Sequence, residues 1–208
     1  MLAYRRRAVQ ISRISHYRWL KLQAVALMAL GRRSAATIRL GRMLTLQPND
    51  QYALASQAHL QAEQHDFNAA IASLQRLTAA WPLDAAAWFN LGYSLQQASR
   101  HAQAESAFRS ALVLDPLMDR AWYGLGLALI HRRQFYEAAE AFKKNTSLQP
   151  LSPHGWYRLA EVWLALDQPA EAQKVLHHLQ QFEPAVARQL AHQHRALSTT
   201  FRAVDGNH

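Results

Sequence analysis

Apolar residues along the chain fall into columns with a fixed interval. Leu40, Leu74, Phe108, Phe142 and Leu176 succeed one another every 34 residues, and each has a small apolar partner four positions earlier, at Ala36, Ala70, Ala104, Ala138 and Ala172. Eight positions after each large residue stands a proline: Pro48, Pro82, Pro116, Pro150 and Pro184. Twenty-eight residues before each proline stands Leu20, Leu54, Trp88, Trp122 or Trp156, followed three and four positions on by Gln23-Ala24, Gln57-Ala58, Leu91-Gly92, Leu125-Gly126 and Leu159-Ala160. Offsets of three and four share one face of an α-helix. Each unit therefore predicts a first helix with a large and a small residue on its buried stripe, then a break near Gly31, His65, Ser99, Arg133 or Asp167. A second helix presents the Ala and the Leu or Phe, and the proline, which lacks an N–H and restricts its predecessor, ends it.

A helix pair of this size cannot bury both of its faces alone, and stacking of successive pairs does so; a period in the thirties is the mark of such an array. The small residues at Gly92 and Gly126 let a neighbouring helix approach, with the indoles of Trp88 and Trp122 expected to fill the volume beside them. On that reading the three repeat tryptophans are core, and truncating one to Ala costs roughly 3–5 kcal/mol.

Trp88-Phe89-Asn90-Leu91-Gly92-Tyr93, followed by Ala104, Phe108, Ala111 and Pro116, resembles a near-complete tetratricopeptide repeat, and Trp122, Leu125, Gly126, Ala138, Phe142 and Pro150 resemble the next. The resemblance implies an all-α fold: a right-handed α-solenoid of helix-turn-helix repeats with a C-terminal capping helix. Its expected organisation is a basic N-terminal arm or half-repeat (1–16), five repeats (17–50, 51–84, 85–118, 119–152 and 153–186), a capping helix (187–203) and a disordered tail (204–208). The arm carries the weaker stripe Ala8, Ile11 and Ile14; the cap carries Val186, Leu190, Leu197 and Phe201. Departures from the pattern are Gln57 and Gln61, where apolar residues are usual, and Asn145, where a small one is.

Composition narrows the chemistry. Cysteine is absent from all 208 residues, which removes disulfides, thiolate nucleophiles and sulfur-ligated metals. The eleven histidines contain no pair three or four apart on a helix, so no metal or other cofactor is expected. Glu137 and Glu140 read as a solvated face, and Gly124-Leu125-Gly126 lies inside a helix rather than a phosphate-binding turn. With no nucleophile-and-base constellation, the chain is expected to be non-catalytic. The formal charge of +9 is local: residues 1–50 hold ten Lys/Arg (Arg5, Arg6, Arg7, Arg13, Arg18, Lys21, Arg32, Arg33, Arg39 and Arg42) against Asp50 alone, while the remainder holds 13 of each sign. The apolar run Leu22–Leu30 is too short to span a bilayer, and residues 17–50 read as folded and retained. The expected location is cytoplasmic.

In tetratricopeptide proteins the first helices line the concave side. Carried onto this chain, the resemblance nominates Tyr52, Phe89, Asn90, Tyr93, Arg120, Tyr123, His154, Tyr157 and Arg158 as peptide-binding, with Ala55, His59, Leu127 and Glu161 in neighbouring slots. Arg120 and Arg158 imply an acidic segment and the rings an aromatic one. Only Asn90 and Arg120 match the two-Asn, three-cation clamp by which some members hold a C-terminal carboxylate; Ala55, His59 and Gly124 fill its other slots, so that clamp is not expected. The implied role is a scaffold, adaptor or chaperone holding a protein segment, as in bacterial secretion, pilus or complex assembly. The alternatives are nucleic-acid or anionic-membrane binding through residues 1–42, or a regulatory module of an enzyme carried on a separate chain.

Overall fold

The computed structural model describes the backbone of residues 2–193 and the side chains of residues 15–192. Among the described residues there are eleven α-helices and no strand: α1 (Leu2–Ala29), α2 (Arg33–Leu46), α3 (Gln51–Glu63), α4 (Phe67–Ala80), α5 (Ala85–Gln97), α6 (His101–Leu114), α7 (Asp119–His131), α8 (Phe135–Leu148), α9 (Pro153–Ala165), α10 (Pro169–Phe182) and α11 (Pro184–Gln193). They divide into two compact units at the turn between Ser99 and Arg100. In the first, α1 packs on α2, α2 on α3, α3 on α4 and α4 on α5; in the second, each helix from α6 to α11 packs on the next, and α11 also reaches α9.

The helix breaks have one chemistry. Gly31, His65, Ser99, Arg133 and Asp167 all take a left-handed conformation, with φ between 54° and 68°. At Gly31 the amide donates to the Met28 carbonyl and the following Arg32 amide to that of Leu27, which satisfies two carbonyls left open at the helix end; the same pair recurs at His65-Asp66, Arg133-Gln134 and Asp167-Gln168. Only the first of these positions is glycine, so the other four side chains carry the steric cost of that conformation.

Both periodic columns are core. The five alanines are fully buried, and Leu40, Leu74, Phe108, Phe142 and Leu176 are at most 4% exposed. The glycines of α7 are pressed between two rings: a Cβ on Gly124 would lie 2.5 Å from the Phe108 ring, and one on Gly126 2.6 Å from that of Phe142. It is thus Phe142, not the Trp122 indole, whose ring lies against Gly126.

The repeat tryptophans correct a second expectation. Trp88, Trp122 and Trp156 are half-buried, and each indole N–H donates to a carbonyl six residues earlier, at Pro82 (2.9 Å), Pro116 (2.8 Å) and Pro150 (2.9 Å). Where Leu54 replaces the tryptophan, the Pro48 carbonyl is taken by Arg76 Nη2 at 2.8 Å, and the Trp81 indole donates to the Asn49 carbonyl at 2.9 Å.

Successive first helices of the first unit are also stapled together, through the capping residues of α3 and α5. Asp50 and Asp84 cap α3 and α5 by accepting from the Ala53 and Ala87 amides. The second oxygen of each carboxylate accepts from the residue 33 positions earlier, Tyr17 Oη (2.7 Å) and Gln51 Nε2 (2.8 Å) respectively.

Residues 2–16 continue into α1 without a break, making that helix 28 residues long. At the other end α11 begins at Pro184 and buries Ala187, Leu190 and Ala191. Leu197, Phe201 and the expected tail at 204–208 lie outside the described residues.

Candidate peptide-binding surface

In the first unit, α3 and α5 bring Asn90, Tyr93, Ala55 and His59 around a hollow of about 150 Å³, with Leu74 of α4 and Ser94 completing its lining. On α3, Ala55, Ala58 and Ala62 leave the space that Tyr93 of α5 borders. Tyr93 is 46% exposed, Asn90 is exposed, and His59 is exposed with its Nε2 3.5 Å from Glu63. Glu63 also pairs with Arg33 at 2.8 Å, and that hydrogen bond holds its carboxyl below the usual carboxylate range. Tyr52 is half-buried under Lys21, whose Nζ lies 4.4 Å from the ring centroid. Phe89 is half-buried on the same helix as Asn90.

In the second unit three of the nominated residues, Tyr123, Tyr157 and Arg158, join in one network. Tyr123 meets Phe142 edge to face, with centroids 5.7 Å apart. Arg158 Nη1 lies 2.7 Å from Glu161 and its guanidinium 5.9 Å from the Tyr157 ring centroid. Burial alone would ease the Arg158 proton off, but hydrogen bonds to Tyr123 and Glu161 outweigh it and raise the group's pKa further. Tyr157 is pushed up by burial and then by the Glu161 charge. Arg120 and His154 are exposed.

The surface is therefore less cationic than the sequence suggests. Glu161, a neighbouring slot in the sequence reading, neutralises Arg158, so the expected pair of arginines does not stand open to a carboxylate. Other polar contacts lie outside the nominated columns. Glu105 is 3% exposed and bonded by both Arg109 and Arg132, and His101 stacks on His131 with centroids 4.0 Å apart. The i,i+4 spacing of Glu105 and Arg109 is the one signal the sequence offers for this carboxylate, while Arg132 becomes its neighbour only once α6 and α7 pack.

Among the described residues no group of three His, Asp or Glu is placed to hold a metal ion, and no helix is long and apolar enough to cross a membrane.

Helix pairs joined by left-handed turns, with small residues against phenyl rings and proline-terminated second helices, define an α-solenoid of helical repeats. A tetratricopeptide-repeat family model matches residues 56–116 and 92–145, and the chain is a tetratricopeptide-repeat protein. Among solved structures, one of MamA is 21% identical at a TM-score of 0.75, covering 79% of this chain and 96% of that one. YrrB, described as a tetratricopeptide protein with an unusual peptide-binding site, is 16% identical at 0.72, covering 80% and 87%. The first such domain of Spaghetti (RPAP3), bound to the HSP90 peptide SRMEEVD, is 20% identical at 0.55, covering 56% and 93%. No curated protein matches the sequence significantly.

Proposed function

We propose that the chain is a non-catalytic adaptor or chaperone that holds a segment of another protein against the exposed faces of its first helices. The hollow beside Tyr93 carries this reading. It combines a partly exposed ring, a small apolar floor and an exposed amide at Asn90, which suits one apolar side chain of a bound segment with the Asn90 amide on its backbone. Peptide binding by YrrB and by the RPAP3 domain, on the same fold, supports the class of ligand.

The roles follow the geometry. Tyr93 and Phe89 supply apolar contact, Asn90 and His59 hydrogen bonds, and Tyr52 the end of the first unit's surface. Within the second unit, taken by itself, Arg120, Tyr123, His154, Tyr157 and Arg158 offer contacts of the same kinds, and Glu161 also accepts a donor from a ligand. A cytoplasmic setting and a part in complex assembly agree with this reading.

A photo-crosslinking residue at Asn90, in cells, tests it. The expected result is one dominant protein adduct identified by mass spectrometry and absent when the crosslinker sits at Gln75, an exposed position of α4. Equal capture from both positions would overturn the site.

A further inference from the structure

The half of α1 whose side chains are described is amphipathic in a way the repeat does not require. Leu20 and Ala24 face the core, 2% and 0% exposed, while Trp19, Leu22 and Val25 are 59%, 64% and 45% exposed and Leu30, just past the helix end, is 72% exposed. Trp19, Leu22 and Ala26 stand at i, i+3 and i+7, and Arg18, Leu22 and Val25 at i, i+4 and i+7, so one outward stripe carries these apolar groups with a cation beside them. Arg18 and Arg32 are exposed at its two ends. The segment's single acid offsets none of this charge from the stripe, because Asp50 caps α3 and accepts from Tyr17.

We propose that this stripe docks on an anionic lipid surface. A helix lying in the interface buries apolar side chains among acyl chains, sets its tryptophan at headgroup level and keeps its cations on lipid phosphates and carboxylates. The attachment proposed is peripheral: among the described residues no helix is long and apolar enough to cross a bilayer. Charge selects this occupant over a second copy of the chain, since pairing two such stripes would set Arg18 and Arg32 of one copy near those of the other, in a segment whose sequence is strongly basic. The exposed Trp19, Leu22, Val25 and Leu30 select it over nucleic acid, whose phosphates are met by cations and give those side chains nothing to bury against.

The absence of cysteine makes the test clean. The full chain carrying Ala26→Cys is labelled at that one thiol with an environment-sensitive dye and titrated with vesicles of phosphatidylcholine, alone or mixed with phosphatidylserine. The expected result is a blue shift and co-flotation with the anionic vesicles only. Trp19→Ser with Leu22→Ser should weaken binding about tenfold or more, given the apolar surface withdrawn, with an unchanged melting temperature because both side chains are exposed. Leu83→Ser, exposed elsewhere, should bind like the parent. No flotation at low salt would overturn the proposal. So would undiminished affinity in the double variant together with binding to a DNA duplex, which would make the segment a general polyanion binder.

Discussion

The indole N–H of Trp122 donates to the carbonyl oxygen of Pro116 at 2.8 Å. The two residues most visible in the repeat are thus bonded to each other, the proline ending one repeat and the tryptophan of the next closing the turn between them. The same bond recurs at Trp88 with Pro82 and at Trp156 with Pro150. Trp122→Phe keeps most of the ring and removes the donor. It should cost about 1 kcal/mol in denaturant unfolding, the net worth of one hydrogen bond, whereas a wholly apolar role for the indole would leave Phe nearly neutral.

Close approach at α7 gives a sharper mutation. Gly124→Ala drives a methyl group into the buried Phe108 ring and should destabilise by about 1–3 kcal/mol. Phe108→Leu also costs stability on its own. In the double variant the two losses should fall short of additive, because the smaller side chain relieves the clash; strict additivity in a double-mutant cycle would show that the two do not touch.

These two features mark how far the sequence could be read. The period, the helix pairs and the breaks at Gly31, His65, Ser99, Arg133 and Asp167 are legible because a solenoid repeats the same contact at the same interval. Pairwise compensation is not. Asn145, a departure from the repeat, is buried and donates to the Asp119 carbonyl at 2.9 Å, and Gly155 provides its space, since a Cβ there would lie 2.1 Å from the amide oxygen. Gln61, a second departure, accepts from the buried Ser73 hydroxyl at 2.8 Å. Arg158 reads as an open cation in a column of slots, while its match to Glu161 three residues on depends on side-chain geometry. The tryptophans lie shallower than their period predicts, because a periodic large residue looks the same whether its ring lies in the core or covers a turn.

The left-handed turns offer stabilisation. Arg133 holds φ at 59° and is exposed, so Arg133→Gly removes the steric cost of that conformation and leaves the backbone bonds in place. A gain of about 0.5–1 kcal/mol is expected after the added freedom of the unfolded chain is subtracted. A loss of stability would mean that the Arg133 side chain holds the turn.

Acidification should weaken the second unit. Burial, and then the charge of the stacked His131, lower the pKa of His101 below its ordinary value of about 6.5. The unfolded chain therefore binds this proton more readily, and stability contributed by neutral His101 is lost as pH falls below about 6.5 until the folded group also titrates. Melting temperature should fall between about pH 7.5 and 5.5, and His101→Gln should flatten that fall. His131→Gln should flatten it in part, because burial remains. An unaltered pH profile in His101→Gln would remove the histidine pair from the account.

The exposed face of α3 and α5 as a protein-binding surface is tested most directly by calorimetric titration of the segment captured at Asn90 against the parent chain and Tyr93→Ala, each with its melting temperature recorded. The account predicts that Tyr93→Ala loses about 2 kcal/mol or more of binding, roughly thirtyfold in affinity, and melts with the parent, because the ring is 46% exposed and spends its surface on the ligand. Unchanged affinity with a much lower melting temperature would make Tyr93 a packing residue and contradict the site.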